Sequence, residues 1–108
     1  TRNKREFTAL IRTEIFRYLQ QLIRGQIDLP ELDDYYADHD RIRLDNEARN
    51  GRHTYVEPLD NGQTWRVNQV LVDPDDLNDW QLEFRVDLPQ AREEGKPTLV
   101  FVGLGRIG

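Results

Sequence analysis

The sequence predicts an α+β domain: a long N-terminal helix and a short second helix packed on a curved antiparallel sheet of four to five strands. Three observations predict it. Apolar residues recur at three- and four-residue steps near the N-terminus, they alternate strictly between Trp80 and Leu88, and Asn61-Gly62 lies between two strand-like runs. With 108 residues the chain can close one core and would starve a second, so residues 1–108 read as a single domain.

The first helix is expected from Lys4 to Arg24. Phe7, Ile11, Ile15, Tyr18 and Leu22 form its apolar stripe, with Leu10, Leu19 and Ile23 widening it. Asn3 and Glu6 have the spacing of a capping box, and Gly25 stands where a helix-ending glycine belongs. At about 1.5 Å per residue the helix spans roughly 30 Å, the width of a small domain. A second helix is expected after Asp28, which repeats the cap spacing with Glu31, while Pro30 suits a first turn. Leu32, Tyr35, Tyr36 and His39 would form its inner face. The alternation Arg41, Ile42, Arg43, Leu44 predicts one brief strand, and Asp45 to Arg52 reads as a loop or a single helical turn.

Asn61-Gly62 predicts a type I′ hairpin, because both central positions of that turn need a positive φ. Pairing outward from it sets Pro58 opposite Trp65, Glu57 opposite Arg66 and Val56 opposite Val67, a chemically consistent register. A strand from Thr64 to Val72 leads through the turn residues Asp73-Pro74-Asp75-Asp76 into the alternating strand from Trp80 to Leu88. Pro89 to Pro97 reads as a loop. Leu99 to Leu104 is apolar on both faces and is expected as a last strand paired on two sides.

Composition narrows the function classes. No apolar run approaches the roughly 20 residues that span a bilayer. Without cysteine there is neither a disulfide framework nor a thiolate metal site, which suits a cytoplasmic setting. The chain starts at Thr1 and contains no methionine, so it is expected to be cut from something longer. Its net charge of −5 is uneven: residues 1–25 carry six Lys/Arg against two Asp/Glu, residues 26–60 four against ten, and residues 61–108 five against eight. Only the first helix is basic. Any contact with nucleic acid must therefore be local, with Arg2, Lys4, Arg5, Arg12 and Arg17 as candidates, although such charge also suits a plainly solvated helix face.

His39, flanked by Asp38 and Asp40, has the look of a base held by a carboxylate. A histidine that merely packs at a helix end explains it as well. Asp73, Asp75, Asp76 and Asp79 crowd one loop and could serve calcium, but the glycine and terminal glutamate of an EF-hand are missing and turn chemistry accounts for them. Gly103 and Gly105 form a lone GxG with no helix after it, so a dinucleotide loop is not supported and they are expected to thin a strand where the long helix crosses. No catalytic residue, metal ligand or cofactor-binding residue is assigned. Tyr18, Tyr36, His39, Trp65, Trp80 and Phe84 are candidates for the lining of a pocket between helices and sheet.

Phe7 to Arg17, Tyr36 to Ile42, Asp45 to Arg49, Thr64 to Pro74, Asp79-Trp80 and Val86 to Leu88 together carry a resemblance. On these segments, read from end to end, the chain resembles the uncharacterised C-terminal domain of a family of bacterial DEAD/DEAH-box helicases, and it departs from the family pattern around residues 49–58. The resemblance covers nearly the whole chain and includes no catalytic signature. The resemblance implies that this is an accessory domain, that ATP, Mg and ATP hydrolysis belong to motor domains upstream, and that those motor domains are its partners. The element order also resembles the cone-shaped fold of the nuclear-transport-factor-like superfamily, a scaffold that hosts both enzymes and binding modules. Two function classes follow: a non-catalytic accessory or scaffolding domain, or a small-molecule-binding or enzymatic domain that uses the pocket.

Overall fold

The structure, a computed structural model, describes residues 2–108; the side chain of Arg2, one of the phosphate candidates, lies outside the described residues. Three helices pack on one four-stranded antiparallel sheet. Helix α1 spans Arg2–Ile23, α2 Leu32–Asp38 and α3 Leu88–Glu94, while the strands are β1 Thr54–Leu59, β2 Thr64–Leu71, β3 Trp80–Asp87 and β4 Val100–Arg106. The sheet is a meander in the order β1-β2-β3-β4. Among the described residues no helix is long and apolar enough to cross a membrane.

The α1 stripe forms where its period puts it. Ile11, Ile15, Leu19 and Leu22 are buried, Phe7 and Tyr18 are partly buried, and Leu10 and Ile23 point outward, so the stripe is narrower than expected. The expected capping box does not form, because the helix already includes Asn3. Its other end closes as the sequence predicts: Gly25 takes φ +74°, its N–H donates to the Leu22 carbonyl, and that of Gln26 donates to the Gln21 carbonyl. This is the doubly bonded glycine stop that uses the orphan carbonyls of a last turn. Entry to α2 differs from expectation. Asp28 and Glu31 supply no side-chain cap; successive turn hydrogen bonds from Leu32, Asp33 and Asp34 back to Leu29, Pro30 and Glu31 lead the chain in. Leu32, Tyr35 and His39 face inward, but Tyr36 is 40% exposed.

The β1–β2 register is the expected one, with Val56 opposite Val67, Glu57 opposite Arg66 and Pro58 opposite Trp65. Asn61 and Gly62 have φ of 56° and 83°, and the Gln63 N–H closes the turn on the Asp60 carbonyl. On β3 the alternation is complete: Trp80, Leu82, Phe84 and Val86 are buried while Gln81, Glu83 and Arg85 lie on the other face. The core between α1 and this sheet includes Phe7 against Trp65 at 5.3 Å and Tyr18 against Phe84 at 5.1 Å between ring centroids, both edge-on.

Four further expectations change. Residues 41–44 form no strand; Arg43 makes a single ladder-like bond, N–H to the Val72 carbonyl, and the segment instead buries Ile42. Within the expected loop after Leu88 lies α3, whose N-cap Asp87 accepts from the Gln90 N–H and whose end is Gly95 at φ +76°. Strand β4 pairs only with β3, and Val100 and Val102 are exposed; Val100, opposite Arg85, lies on the outer face of the sheet that no helix covers. Val102 is the extra residue of a bulge, Phe101 pairing with Phe84 and Gly103 with Glu83, a device that blunts an edge against further pairing. Finally, no atom lies within 4 Å of a Cβ built on Gly103 or Gly105, so neither glycine makes room for α1.

Candidate functional site

His39 ends α2 with its side chain only 1% exposed. Its Nε2 lies 2.9 Å from Asp79 Oδ1, and its Nδ1 lies 3.6 Å from Asp73 Oδ1 with no hydrogen-bond partner. A carboxylate only accepts, so the proton of the Nε2–H···Asp79 bond sits on the ring. Asp73 is itself fully buried and accepts from the backbone N–H groups of Asp75, Leu77 and Asn78 at 2.9, 3.2 and 2.7 Å. Burial alone would raise the Asp73 carboxyl; the N–H donors of Asn78, Leu77 and Asp75, with His39 beside them, overcome it and hold the group below the usual carboxylate range.

Of the two flanking carboxylates expected to hold His39, Asp38 does other work. Asp38 accepts from Trp80 Nε1 at 3.3 Å and from Arg106 at 2.6 Å, and the Arg106 guanidinium lies 5.3 Å over the Trp80 ring. The partners of His39 come instead from the β2–β3 loop, whose acidic residues the sequence explains as turn chemistry. His39, Asp73 and Asp79 do offer three ligand atoms within 4.8 Å of one another. However, the two carboxylates face opposite ring nitrogens, and one ion can reach only one of these. The arrangement suits a clamp that ties the end of α2 to the loop.

The candidate pocket residues do not line a common cavity. Phe84, Trp65, Trp80 and His39 are buried, Tyr18 stacks on Phe101 at 6.0 Å and meets Phe84 edge-on, and Tyr36 lies on the surface against Tyr35. Burial raises the hydroxyl pKa of Tyr35 well above its ordinary value, helped by Asp73, Tyr36 and Asp79, and this hydroxyl donates to the Arg41 carbonyl at 2.7 Å.

Two open clefts flank the start of β1. The first, about 490 Å³, lies between α1 and the turn before β1 and is lined by Lys4, Arg5, Thr8, Arg12, Gly51 and Thr54. Three of the phosphate candidates thus share one site. They are not equivalent: the Arg12 guanidinium donates to the Arg49 carbonyl and sits 5.4 Å from the Phe16 ring centre, so it props the 45–50 loop as well as lending charge. Arg17 stands apart, paired with Glu14 at 2.7 Å beside a different cleft. The second cleft, about 420 Å³, lies on the outer face of the sheet and includes Arg52, His53, Tyr55, Asn78 and Gln81. Burial, with Arg52 and Arg43 nearby, lowers the His53 pKa, which keeps that ring neutral near pH 7.

Of the residues of the second cleft, the sequence draws attention only to His53, which with His39 would make a two-His metal site lacking a third ligand of defined spacing. The signal for Tyr55 was nonetheless present: a register that pairs Val56 with Val67 on the inner face must turn Tyr55 outward.

The sequence model of a family described as Domain of unknown function (DUF3516) matches residues 1–104. The chain belongs to this family. Comparison with curated proteins and with solved structures gives no match. The match covers almost the whole fold, from α1 through Leu104 in β4, and includes the first cleft, the His39 clamp and all of the second cleft except Ile107.

Proposed function

We propose that this domain is a non-catalytic accessory or scaffolding module of a cytoplasmic, ATP-dependent DEAD/DEAH-box helicase, resting on motor domains of the same chain and meeting nucleic-acid phosphate through the cleft of Lys4, Arg5 and Arg12. The observation that carries the reading is the convergence of these three cations on one open cleft. A phosphate backbone is gripped by such clustered cations without regard to sequence. The helicase part of the reading rests on the sequence resemblance, and it assigns ATP and Mg to the motor domains.

Catalysis by this domain finds little support. A general base must come within hydrogen-bond reach of its substrate, and His39 is enclosed with Nε2 committed to Asp79. The aromatic residues that would line an interior pocket pack against one another. Gly95-Lys96 is followed by Pro97, without the glycine spacing and Ser/Thr of a phosphate loop, and Gly95 serves to end α3.

Binding should be weak, because residues 26–108 carry nine net negative charges and repel the strand beyond the cleft. The test combines an ATP-turnover assay with fluorescence-anisotropy titration of labelled oligonucleotides. No turnover is expected, and strands should bind at about 50 mM salt and release by about 200 mM. Turnover of ATP, or binding indifferent to salt, contradicts the proposal.

A further inference from the structure

We infer that the free edge of β1 is a binding site for single-stranded nucleic acid, in which backbone phosphate occupies the cationic cleft on one side and a base stacks on Tyr55 on the other. The inference rests on the phosphate contact proposed above and adds to it the ligand's form and the residue that recognises it. Four observations carry it.

Tyr55 is 59% exposed on the outer face of β1, an unusual place for a large ring, and it forms one wall of the 420 Å³ cleft. An exposed aromatic face is what an unpaired base stacks on, whatever its identity. The rest of that cleft has the composition a base edge requires. Val70 and Ile107 supply apolar contact, and the carboxamides of Asn78 and Gln81 each offer both a donor and an acceptor.

The third observation is continuity. Gly51 and Thr54 line the cationic cleft while Arg52, His53 and Tyr55 line the aromatic one, because the 3₁₀ turn Gly51–His53 that leads into β1 brings residues three apart to the same side. The two sites are therefore halves of one surface divided by the 51–55 segment. Fourth, β1 is an edge of the sheet, with no strand beyond it, so a flexible nucleotide chain can pass over this segment from one cleft to the other. A duplex cannot follow, since its bases stay stacked inside. Nearby acids limit the affinity: Glu47 holds Arg52 and lies 3.3 Å from His53, and Glu57 on the Tyr55 face pairs with Arg66 at 3.1 Å. Arg52 therefore adds little attraction, and the charge comes from the α1 side.

The test uses the whole chain at about 50 mM salt, with labelled single strands of DNA and of RNA, an abasic strand of equal length and a duplex. At least one of the single strands should bind about tenfold more tightly than the abasic strand and the duplex. Tyr55→Ala should weaken it by about tenfold and Tyr55→Phe should not, since stacking needs the ring and not the hydroxyl. Ultraviolet cross-linking of a pyrimidine strand to the unaltered protein should yield an adduct at Tyr55, a readout independent of how the variants fold. If Tyr55→Ala binds as well as the parent and the adduct lies elsewhere while Arg5→Glu still weakens binding, the base site is wrong and the phosphate contact stands. If no strand binds the parent, both fail.

Discussion

Asp73 is the residue on which the loop between β2 and β3 turns. It is fully buried, takes three backbone N–H bonds and faces His39, and its carboxyl is held below the ordinary range. A carboxylate depressed on folding contributes stability that is complete above its unfolded value of about 3.9 and is lost as pH falls through the lower folded value. Asp73→Asn should lower stability near pH 7 by about 1–3 kcal/mol and should flatten the acid limb of the stability profile below about pH 4. Denaturant melts of the two proteins across that range check it; parallel profiles would mean that Asp73 is not the titrating group. Arg12 is a second case in which tertiary contacts change the expectation. Its position off the apolar stripe suggests a free cation, yet it holds the Arg49 carbonyl and covers Phe16. Arg12→Glu should therefore cost stability as well as charge, about 1–2 kcal/mol, whereas Arg5→Glu on the exposed side should leave the melting temperature within a degree or two. The sequence could not separate the two, because both arginines look alike until the 45–50 loop folds against one of them. For the same reason it attached His39 to its neighbours Asp38 and Asp40, when the true partners lie 34 and 40 positions away.

Elements with strong periodicity were legible: α1 from its stripe, β3 from its alternation and the β1–β2 pairing from Asn61-Gly62. Ile15 lies at the centre of the stripe with no exposure, so Ile15→Asp should abolish cooperative thermal unfolding, since an unpaired buried charge costs several kcal/mol against a total stability of about 5–15. The Gly62 turn offers a cleaner backbone test. No atom lies within 4 Å of a Cβ built there, so Gly62→Val meets no clash and pays only for the positive φ, about 1–2 kcal/mol by chemical denaturation. An unchanged midpoint would remove the turn assignment. Short elements escaped because tertiary contacts decide them. Residues 41–44 alternate like a strand, yet find only one ladder bond. Helix α3 is too short for a stripe, and its evidence was punctuation: Asp87 as cap, Pro89 in the first turn, Gln90 at the capping-box spacing and Gly95 at the end. Apolar residues on both faces of the last strand suggested burial between two neighbours; Val100 and Val102 lie exposed at an edge instead.

At the scale of the whole molecule, charge is distributed so that one end of α1 opposes the rest of the chain. The sequence revealed that imbalance directly, but it could not show that Lys4, Arg5 and Arg12 meet Gly51 and Thr54 in one cleft, since this depends on how the 45–50 loop returns to α1. The central claim is that this cleft, and not the surface at large, holds nucleic-acid phosphate. Its most direct test is the salt dependence of single-strand affinity for the parent and for Arg5→Glu. For single strands the slope of log affinity against log salt is about −0.7 per phosphate neutralised, so three cations predict a slope near −2. Removing one of them should reduce its magnitude by about 0.7 and weaken binding at every salt concentration. A slope near zero, or one that Arg5→Glu leaves unchanged, would contradict the account.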